Sequence, residues 1–200
     1  MNKKKLKIGL ITYRGNPSSG GQGIYINYLS RALSDLGHEV TVISGPPYPD
    51  IRKDIKLIKI PSLDLFSKKN KFLDVKFSKL LSLNNLKEWI SANTGGFPEP
   101  HTFGPRLKKF IEESADQFDV IHDNQSLCKE LISLQQKLPL VTTIHHPITK
   151  DLKFQLKSTN DFFLKLLIKR WHSFIPTQIK VAKKLKKIVV PSESSGKDVV

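Results

Sequence analysis

The stretch LKIGLITYRGNPSSGGQGIYINYL, residues 6–29, decides the fold because a loop rich in glycine and serine joins an apolar run to an amphipathic helix. A loop placed after a strand and before a helix presents backbone N–H groups to an anion at the edge of a parallel sheet. Gly20, Gly21 and Gly23 permit close approach to the backbone, although glycines here equally suit a flexible turn. The loop does not match the dinucleotide-binding fingerprint, because its glycines do not fit the spacing G-x-G-x-x-G and no acidic residue ends the second apolar run.

Short apolar runs alternate with helical periods along the rest of the chain, which predicts an α/β fold: a Rossmann-like parallel sheet with helices on both faces. The predicted strands are LKIGLITY, EVTVIS, IKLIKI, DVIHD, LVTTI and KIVVPS. The first helix is predicted to end at Gly37, and further apolar stripes run from Leu107 to Phe118 and from Leu127 to Leu138. Residues 61–103 and 151–185 break the alternation and are predicted to be insertions or elaborated helices.

The composition, 200 residues of which 38% are hydrophobic, is enough for the core of one domain. Cys128 lies among leucines, which predicts a buried thiol rather than a nucleophile. Because no apolar run is long enough to span a bilayer and no cleavage pattern follows the basic N-terminus, we expect a cytoplasmic protein. The net charge of +15 predicts an anionic partner: a membrane surface, a nucleic acid or a phosphorylated ligand. The sequence lacks recognised RNA- or DNA-binding motifs, which argues against nucleic acid.

Four stretches together carry a family resemblance: GGQGIYINYLSRALSDLGHEVTVIS, FDVIHDNQSL, PLVTTIHHPIT and KKLKKIVVPSESSGKDVV. In this order they resemble family 4 glycosyltransferases. The resemblance implies that residues 1–200 form the N-terminal, acceptor-side domain of a two-domain GT-B enzyme, which transfers a sugar from a nucleotide donor with retention of configuration. It also implies a donor-binding C-terminal domain, with an acidic pair spaced E-x7-E, beyond residue 200. We therefore expect the chain to be a fragment that is inactive alone.

His145 is the predicted catalytic residue. It aligns with the histidine that family members place beside the donor sugar and the acceptor, where a ring nitrogen hydrogen-bonds a sugar hydroxyl or stabilises developing charge. A purely structural His145 stays open as an alternative. A metal site is disfavoured because no Cys or carboxylate lies at ligand spacing from His145 and His146, so we expect neither a metal nor another cofactor. His146 itself is predicted to be structural or solvent-facing.

The other predicted substrate-binding residues follow strands at the same edge of the sheet. Asp123 and Asn124 end the stretch DVIHDN and are predicted to orient acceptor hydroxyls, with the cap of a helix beginning near Ser126 as the alternative. Ser192 and Glu193, which follow the last strand, are further candidates. The last predicted substrate-binding residues are Gly20, Gly21 and Gly23 of the opening loop, which we expect to lie near the donor's phosphate or the acceptor.

The function that this implies is a hexosyl transfer by front-face displacement, in which the leaving phosphate takes the proton of the acceptor hydroxyl. The expected partners are a nucleotide sugar and a sugar or lipid-linked acceptor of cell-envelope glycan or glycolipid synthesis. The alternative is a non-catalytic basic α/β binding module, or an accessory subunit of a split transferase.

Positive charge is concentrated in residues 151–187 and in KKNKFLDVKFSKLLSL, residues 68–83. The first region is predicted to hold a helix with Phe163, Leu167 and Trp171 on one face, bent at Pro176. Two interpretations stay open for both regions. Either the apolar faces pack on the sheet, or they dock on an anionic leaflet and place the enzyme at the inner face of the cytoplasmic membrane.

Overall fold

The computed structural model describes residues 4–18 and 21–199. Within them, the six predicted apolar runs form one sheet of parallel strands in the order β3-β2-β1-β4-β5-β6. The strands are β1 Lys7–Thr12, β2 Glu39–Ser44, β3 Lys56–Lys59, β4 Val120–Asn124, β5 Leu140–Thr143 and β6 Ile188–Val189. The order reverses between β1 and β4, which is the position where open α/β sheets form a crevice at the carboxyl ends of their strands.

The helices that surround the sheet are α1 Gln22–Asp35, α2 Phe77–Leu80, α3 Leu83–Asn93, α4 Glu99–Ser114, α5 Leu131–Lys137, α6 Ile148–Lys157, α7 Phe162–Trp171, α8 Ile175–Ala182 and α9 Glu193–Val199. Successive side chains of a strand point to opposite faces of the sheet, so each strand supplies two cores. Ile8 and Leu10 of β1 pack with Ile26 of α1 on one face. Ile11 and residues of α4, α5 and α8 form the larger core on the other face. The predicted α/β, Rossmann-like fold is confirmed.

Two predicted helix boundaries are wrong. The stripe that begins at Leu127 becomes helical only at Leu131, because Gln125 and Leu127 have φ values of 50° and 47° and form a turn. Pro176 does not bend one long helix: α7 ends at Trp171, and Pro176 lies in the first turn of α8, where its missing N–H costs nothing. Gly37, with φ 90°, ends α1 as predicted.

Glu88 of α3 joins two other parts of the segment between β3 and β4: the chain that follows β3, and α4, whose Leu107 and Ile111 lie in the larger core. This carboxylate is buried, accepts a hydrogen bond from the backbone N–H of Leu63 at 3.0 Å and pairs with Arg106 of α4 at 2.6 Å. Breaking such a buried pair leaves an uncompensated charge, so the contact holds the insertion in one position. The insertion therefore forms a fixed wall beside the carboxyl edge of the sheet.

Candidate functional site

A cleft of about 610 Å³ opens at the carboxyl edge of the sheet, between the ends of β1 and β5, the start of α1 and the segment around Trp171. Its lining residues include Tyr13, Arg14, Asn16, Gly21, Gln22, Tyr25, Phe97, Gln125, His145, His146, Trp171 and His172. A second cavity of about 180 Å³ lies beyond β5, among Ile144, Ile148 and Ile175. The cleft is the candidate site because the predicted His145 and the glycine loop both border it.

The glycine loop meets the cleft at the first turn of α1. Gly21 has φ 70° and directly precedes the helix, so the amino end of α1 and its free N–H groups lie at the cleft. A Cβ added to Gly23 would lie 2.2 Å from the carbonyl oxygen of Asn16, so only glycine permits this loop to pack against the helix start. Gly20, the remaining predicted glycine, lies outside the described residues.

His145 is half-buried and is held by three neighbours. Its Nε2 lies 2.6 Å from Oδ1 of Asn124, and its backbone N–H donates to Oε1 of Gln125 at 2.7 Å. The ring of Tyr25 packs edge-on against the imidazole, with centroids 4.5 Å apart. The structure thus brings two predicted residues, His145 and Asn124, into direct contact.

The hydrogen bonds of Asn124 define the tautomer of His145. The Nδ2 of Asn124 donates to the backbone oxygen of Gln22 at 3.2 Å, which turns its Oδ1 toward the imidazole. An amide oxygen only accepts, so the Nε2 of His145 carries the proton and the Nδ1 of the neutral ring is an acceptor. No described residue hydrogen-bonds to Nδ1.

Both histidines beside this edge are biased toward the neutral form. Burial, followed by the neighbouring His146, lowers the pKa of His145. Burial and then His145 lower the pKa of His122, whose Nε2 lies 2.7 Å from Oγ1 of Thr143. His145 is therefore a neutral hydrogen-bonding group at neutral pH rather than a fixed cation.

Asp123 faces away from the cleft. Its side chain is fully buried and accepts hydrogen bonds from the backbone N–H groups of Ser126 and Leu127 and from the hydroxyl of Ser126. Burial raises the pKa of Asp123 to about 6 although these donors oppose the rise. Asp123 therefore fixes the turn after β4. Its predicted contact with an acceptor hydroxyl is not supported by these hydrogen bonds and stays a prediction.

Ser192 and Glu193 do not lie among the described residues that line the cleft. Both are exposed, and the hydroxyl of Ser192 accepts a hydrogen bond from the backbone N–H of Ser195 at 3.1 Å, as an N-cap does. His146 borders the cleft but is exposed, with its Nε2 3.0 Å from Oδ2 of Asp151. Ser192 and Glu193 therefore do not border the cleft that His145 lines, and their substrate contacts stay a prediction.

Sequence reasoning missed the aromatic wall of the cleft. Trp171 stacks on Phe97, with ring centroids 5.1 Å apart and 20° between the planes, and remains 37% exposed. The guanidinium of Arg14 lies 5.7 Å from the centroids of both Phe66 and Phe97. Its buried Nε has no hydrogen-bond partner among the described residues. The cleft therefore has one polar wall around His145 and one aromatic wall that carries a positive charge.

Within residues 4–18 and 21–199, no group of three or more His, Cys, Asp or Glu side chains is arranged to hold a metal ion. Over the same residues, no helix has the length and apolar character needed to cross a bilayer. The thiol of Cys128 is buried, as predicted, and burial raises its pKa.

Comparison with known proteins identifies the family. The model of Glycosyltransferase Family 4 matches residues 19–200. The chain belongs to this family. It is also 37% identical over 197 residues to the MMP alpha-(1->4)-mannosyltransferase of Mycolicibacterium hassiacum, an alignment that covers 98% of this chain and 48% of that protein. The family 4 chain thus spans about half the length of this curated relative.

One solved structure supports the fold. A variant of Os79 from O. sativa in complex with UDP aligns with a TM-score of 0.53 at 10% identity, covering 94% of this chain and 46% of that chain. The glycosyltransferase SnogD from Streptomyces nogalater aligns with a TM-score of 0.41 at 16% identity, covering 94% of this chain and 45% of that one. The predicted membership in glycosyltransferase family 4 is confirmed by the family match.

Proposed function

We propose that this family 4 chain is the N-terminal, acceptor-side half of a retaining hexosyltransferase that uses a nucleotide sugar. The observation that carries the proposal is the pairing of His145 with Asn124, which leaves the Nδ1 of a neutral imidazole as an acceptor beside the cleft. The match to a protein named a mannosyltransferase supports the reaction class and makes nucleotide-activated mannose the first donor to test.

The two walls of the cleft suit a sugar. A pyranose ring has hydroxyls around its rim and apolar C–H faces, so it can hydrogen-bond to one wall and stack on the other. His145 supplies an acceptor at Nδ1, and Trp171 supplies the exposed aromatic face. The match between these walls and the two kinds of sugar surface supports a carbohydrate as the ligand.

The chemistry that we propose is front-face displacement. The bond between the sugar and the nucleotide phosphate loosens, positive charge develops on the sugar, and the acceptor hydroxyl attacks from the side on which the phosphate leaves. The departing phosphate takes the proton of that hydroxyl, so no side chain acts as the base. The Nδ1 of His145 accepts a hydrogen bond from a sugar hydroxyl. This bond holds the sugar ring in position while positive charge develops on the sugar.

Two features of this chain can neutralise the negative charge of the donor's phosphate. The first turn of α1 presents backbone N–H groups after Gly21, and Arg14 adds a positive charge to the lining of the same cleft. We propose that the donor's remaining contacts come from a second domain, which agrees with the coverage of about half of the relative. The competing proposal is a non-catalytic binding module, which would bind sugar without transferring it.

The experiment compares two neighbouring histidines in the full-length enzyme, supplied with radiolabelled nucleotide sugars. His145→Ala is expected to lower kcat by about 100-fold, since it removes a hydrogen bond made as charge develops. His146→Ala is the comparison variant: His146 also borders the cleft, but it is exposed and bonds to Asp151, so a smaller effect on kcat is expected. Near-normal turnover of His145→Ala would refute the assigned role. Sugar binding without any turnover by the unsubstituted enzyme would favour the binding module.

A further inference from the structure

A large apolar surface that is not part of any core lies on one side of the cleft. On α7, the side chains of Phe162, Phe163, Leu166 and Leu167 are 48–75% exposed. On the segment 72–83, which ends at the first residue of α3, five further large apolar side chains are 58–79% exposed: Phe72, Leu73, Phe77, Leu81 and Leu83. Single exposed apolar residues are ordinary, but two such groups on neighbouring elements indicate a surface that contacts something.

Contacts link the parts of the chain that carry the two groups, although these parts are distant in sequence. Phe66 packs edge-on against Trp171 at the end of α7, with centroids 5.5 Å apart. Arg170 of α7 donates to the hydroxyl of Thr94, directly after α3, at 2.8 Å. The segment 66–83 and α7 therefore flank the same aromatic wall, and we call them together the basic rim.

Lysines accompany these apolar side chains. Lys165 and Lys169 lie on α7, and the segment 68–79 contributes five more: Lys68, Lys69, Lys71, Lys76 and Lys79. No ion pair within 4.0 Å involves any of them among the described residues. Of the nearby acids, Asp161 caps α7 by accepting from the backbone N–H of Leu164, and Asp74 accepts from the backbone N–H of Asn70. The rim thus has an excess of unpaired positive charge.

We propose that the basic rim docks on an anionic lipid surface. Phenyl and leucyl side chains that project among lysines are the combination that inserts at the boundary between headgroups and acyl chains, while the ammonium groups meet anionic headgroups. Each lysine near such a surface strengthens binding by about fivefold. A nucleic acid would find no arginine-rich, flat stacking surface here, and phenylalanine and leucine side chains gain more from acyl chains.

Docking by the rim would place the cleft at the membrane. Trp171 belongs both to the end of α7 and to the cleft wall, so a bound leaflet lies next to the aromatic wall. An acceptor anchored in that leaflet could enter the cleft without leaving the membrane. This last step rests on the proposed function, whereas docking itself does not.

The test is co-sedimentation of the full-length protein with vesicles of phosphatidylcholine alone or mixed with phosphatidylglycerol. The protein is expected to bind the mixed vesicles and not the neutral ones. The double charge reversal Lys165→Glu and Lys169→Glu is expected to weaken binding by at least about 20-fold. Phe162→Ser with Phe163→Ser is expected to weaken it as well, through the lost apolar insertion.

The matched control is Lys53→Glu with Lys56→Glu, which makes the same change in net charge at the amino edge of the sheet, opposite the cleft. This control is expected to bind as the unsubstituted protein does. Equal losses in the control and rim variants would show a response to net charge and overturn the rim as the docking surface. Equal binding to both vesicle types, or to neither, would overturn the proposal and leave the rim to a protein partner. Failed docking with normal sugar transfer would leave the proposed function intact.

Discussion

The position of one amide decides what His145 can do. Because Asn124 donates to the backbone oxygen of Gln22, its oxygen faces His145 and forces the ring proton onto Nε2. Burial keeps the pKa of the ring low, so the same residue remains neutral and offers Nδ1 as an acceptor. Asn124 is therefore a positioning residue, which acts through the histidine rather than on substrate.

Replacing this amide with a carboxylate should change the charge of His145. In Asn124→Asp, a negative oxygen would lie where the amide oxygen is now, 2.6 Å from Nε2, and would stabilise the imidazolium. The pKa of His145 is expected to rise by about 1 to 3. The measurement is an NMR titration of the histidine Cε1–H signals, with His38, which is distant from the pair, as the internal reference.

The two forms of the enzyme should also differ in their dependence on pH. With Asp at position 124, the folded-state pKa of His145 lies higher, so activity that needs neutral imidazole is expected to begin only at a higher pH. Unsubstituted enzyme should reach its plateau at lower pH. An unchanged His145 titration in Asn124→Asp would show that the two side chains do not pair in solution.

Part of the site was predictable from residues alone. A histidine at the end of a buried strand and the glycines of the first loop follow from local sequence, and both border the cleft. The alternation of a strand would also have separated Asp123 from Asn124, since adjacent residues point to opposite faces. Arg14 and Trp171 could not be assigned, because insertions with no fixed relation to the strands bring them together.

At the scale of elements, the junction between β1 and α1 depends on close backbone packing. Gly23→Ala would bring a methyl group to 2.2 Å from the Asn16 oxygen and 2.4 Å from the Gly15 oxygen, and backbone atoms cannot move aside cheaply. We expect a loss of about 1–3 kcal/mol in the free energy of unfolding, measured with urea. Because the loop borders the cleft, transferase activity at temperatures where the variant is folded should fall too.

Gly37→Ala is the control for that prediction. Gly37 has φ 90° with open space around it, so alanine costs only backbone strain of about 1–2 kcal/mol. Its position at the end of α1, far along the helix from the cleft, predicts unchanged activity. Equal activity of the two variants would mean that the loop supports the fold and not the site.

The sequence predicted strands better than helix boundaries for a physical reason. A parallel strand covered on both faces is a nearly continuous apolar run, and each of the six runs was found in the sheet. Helix limits depend on backbone conformations that apolar spacing does not encode. Leu127 continues the stripe of α5, yet its positive φ places it in the turn that Asp123 stabilises.

At the scale of the whole molecule, the basic rim adjoins the cleft, because Trp171 belongs both to the end of α7 and to the cleft wall. The cleft lies at the carboxyl edge of the sheet, where the walls come from β1, β5, α1 and the aromatic insertions. The net charge is +15. Positively charged residues occur over the whole surface and are most concentrated at the basic rim. Like charges repel one another in the folded state, so this excess destabilises the protein while it favours an anionic partner.

Salt should therefore act in opposite directions on stability and on docking. Raising NaCl from about 20 mM to about 300 mM shortens the screening length to well below 10 Å and weakens both the repulsion within the protein and its attraction to anionic vesicles. The unfolding temperature is expected to rise by roughly 2–4 °C for each kcal/mol of repulsion relieved, while the vesicle-bound fraction falls. Calorimetry and co-sedimentation on the same samples measure the two effects.

If the unfolding temperature fell with salt, attractive ion pairs would outweigh the repulsion, and weaker sedimentation could then reflect unfolding. A rise in unfolding temperature together with weaker sedimentation assigns the loss of binding to the electrostatics of the folded surface.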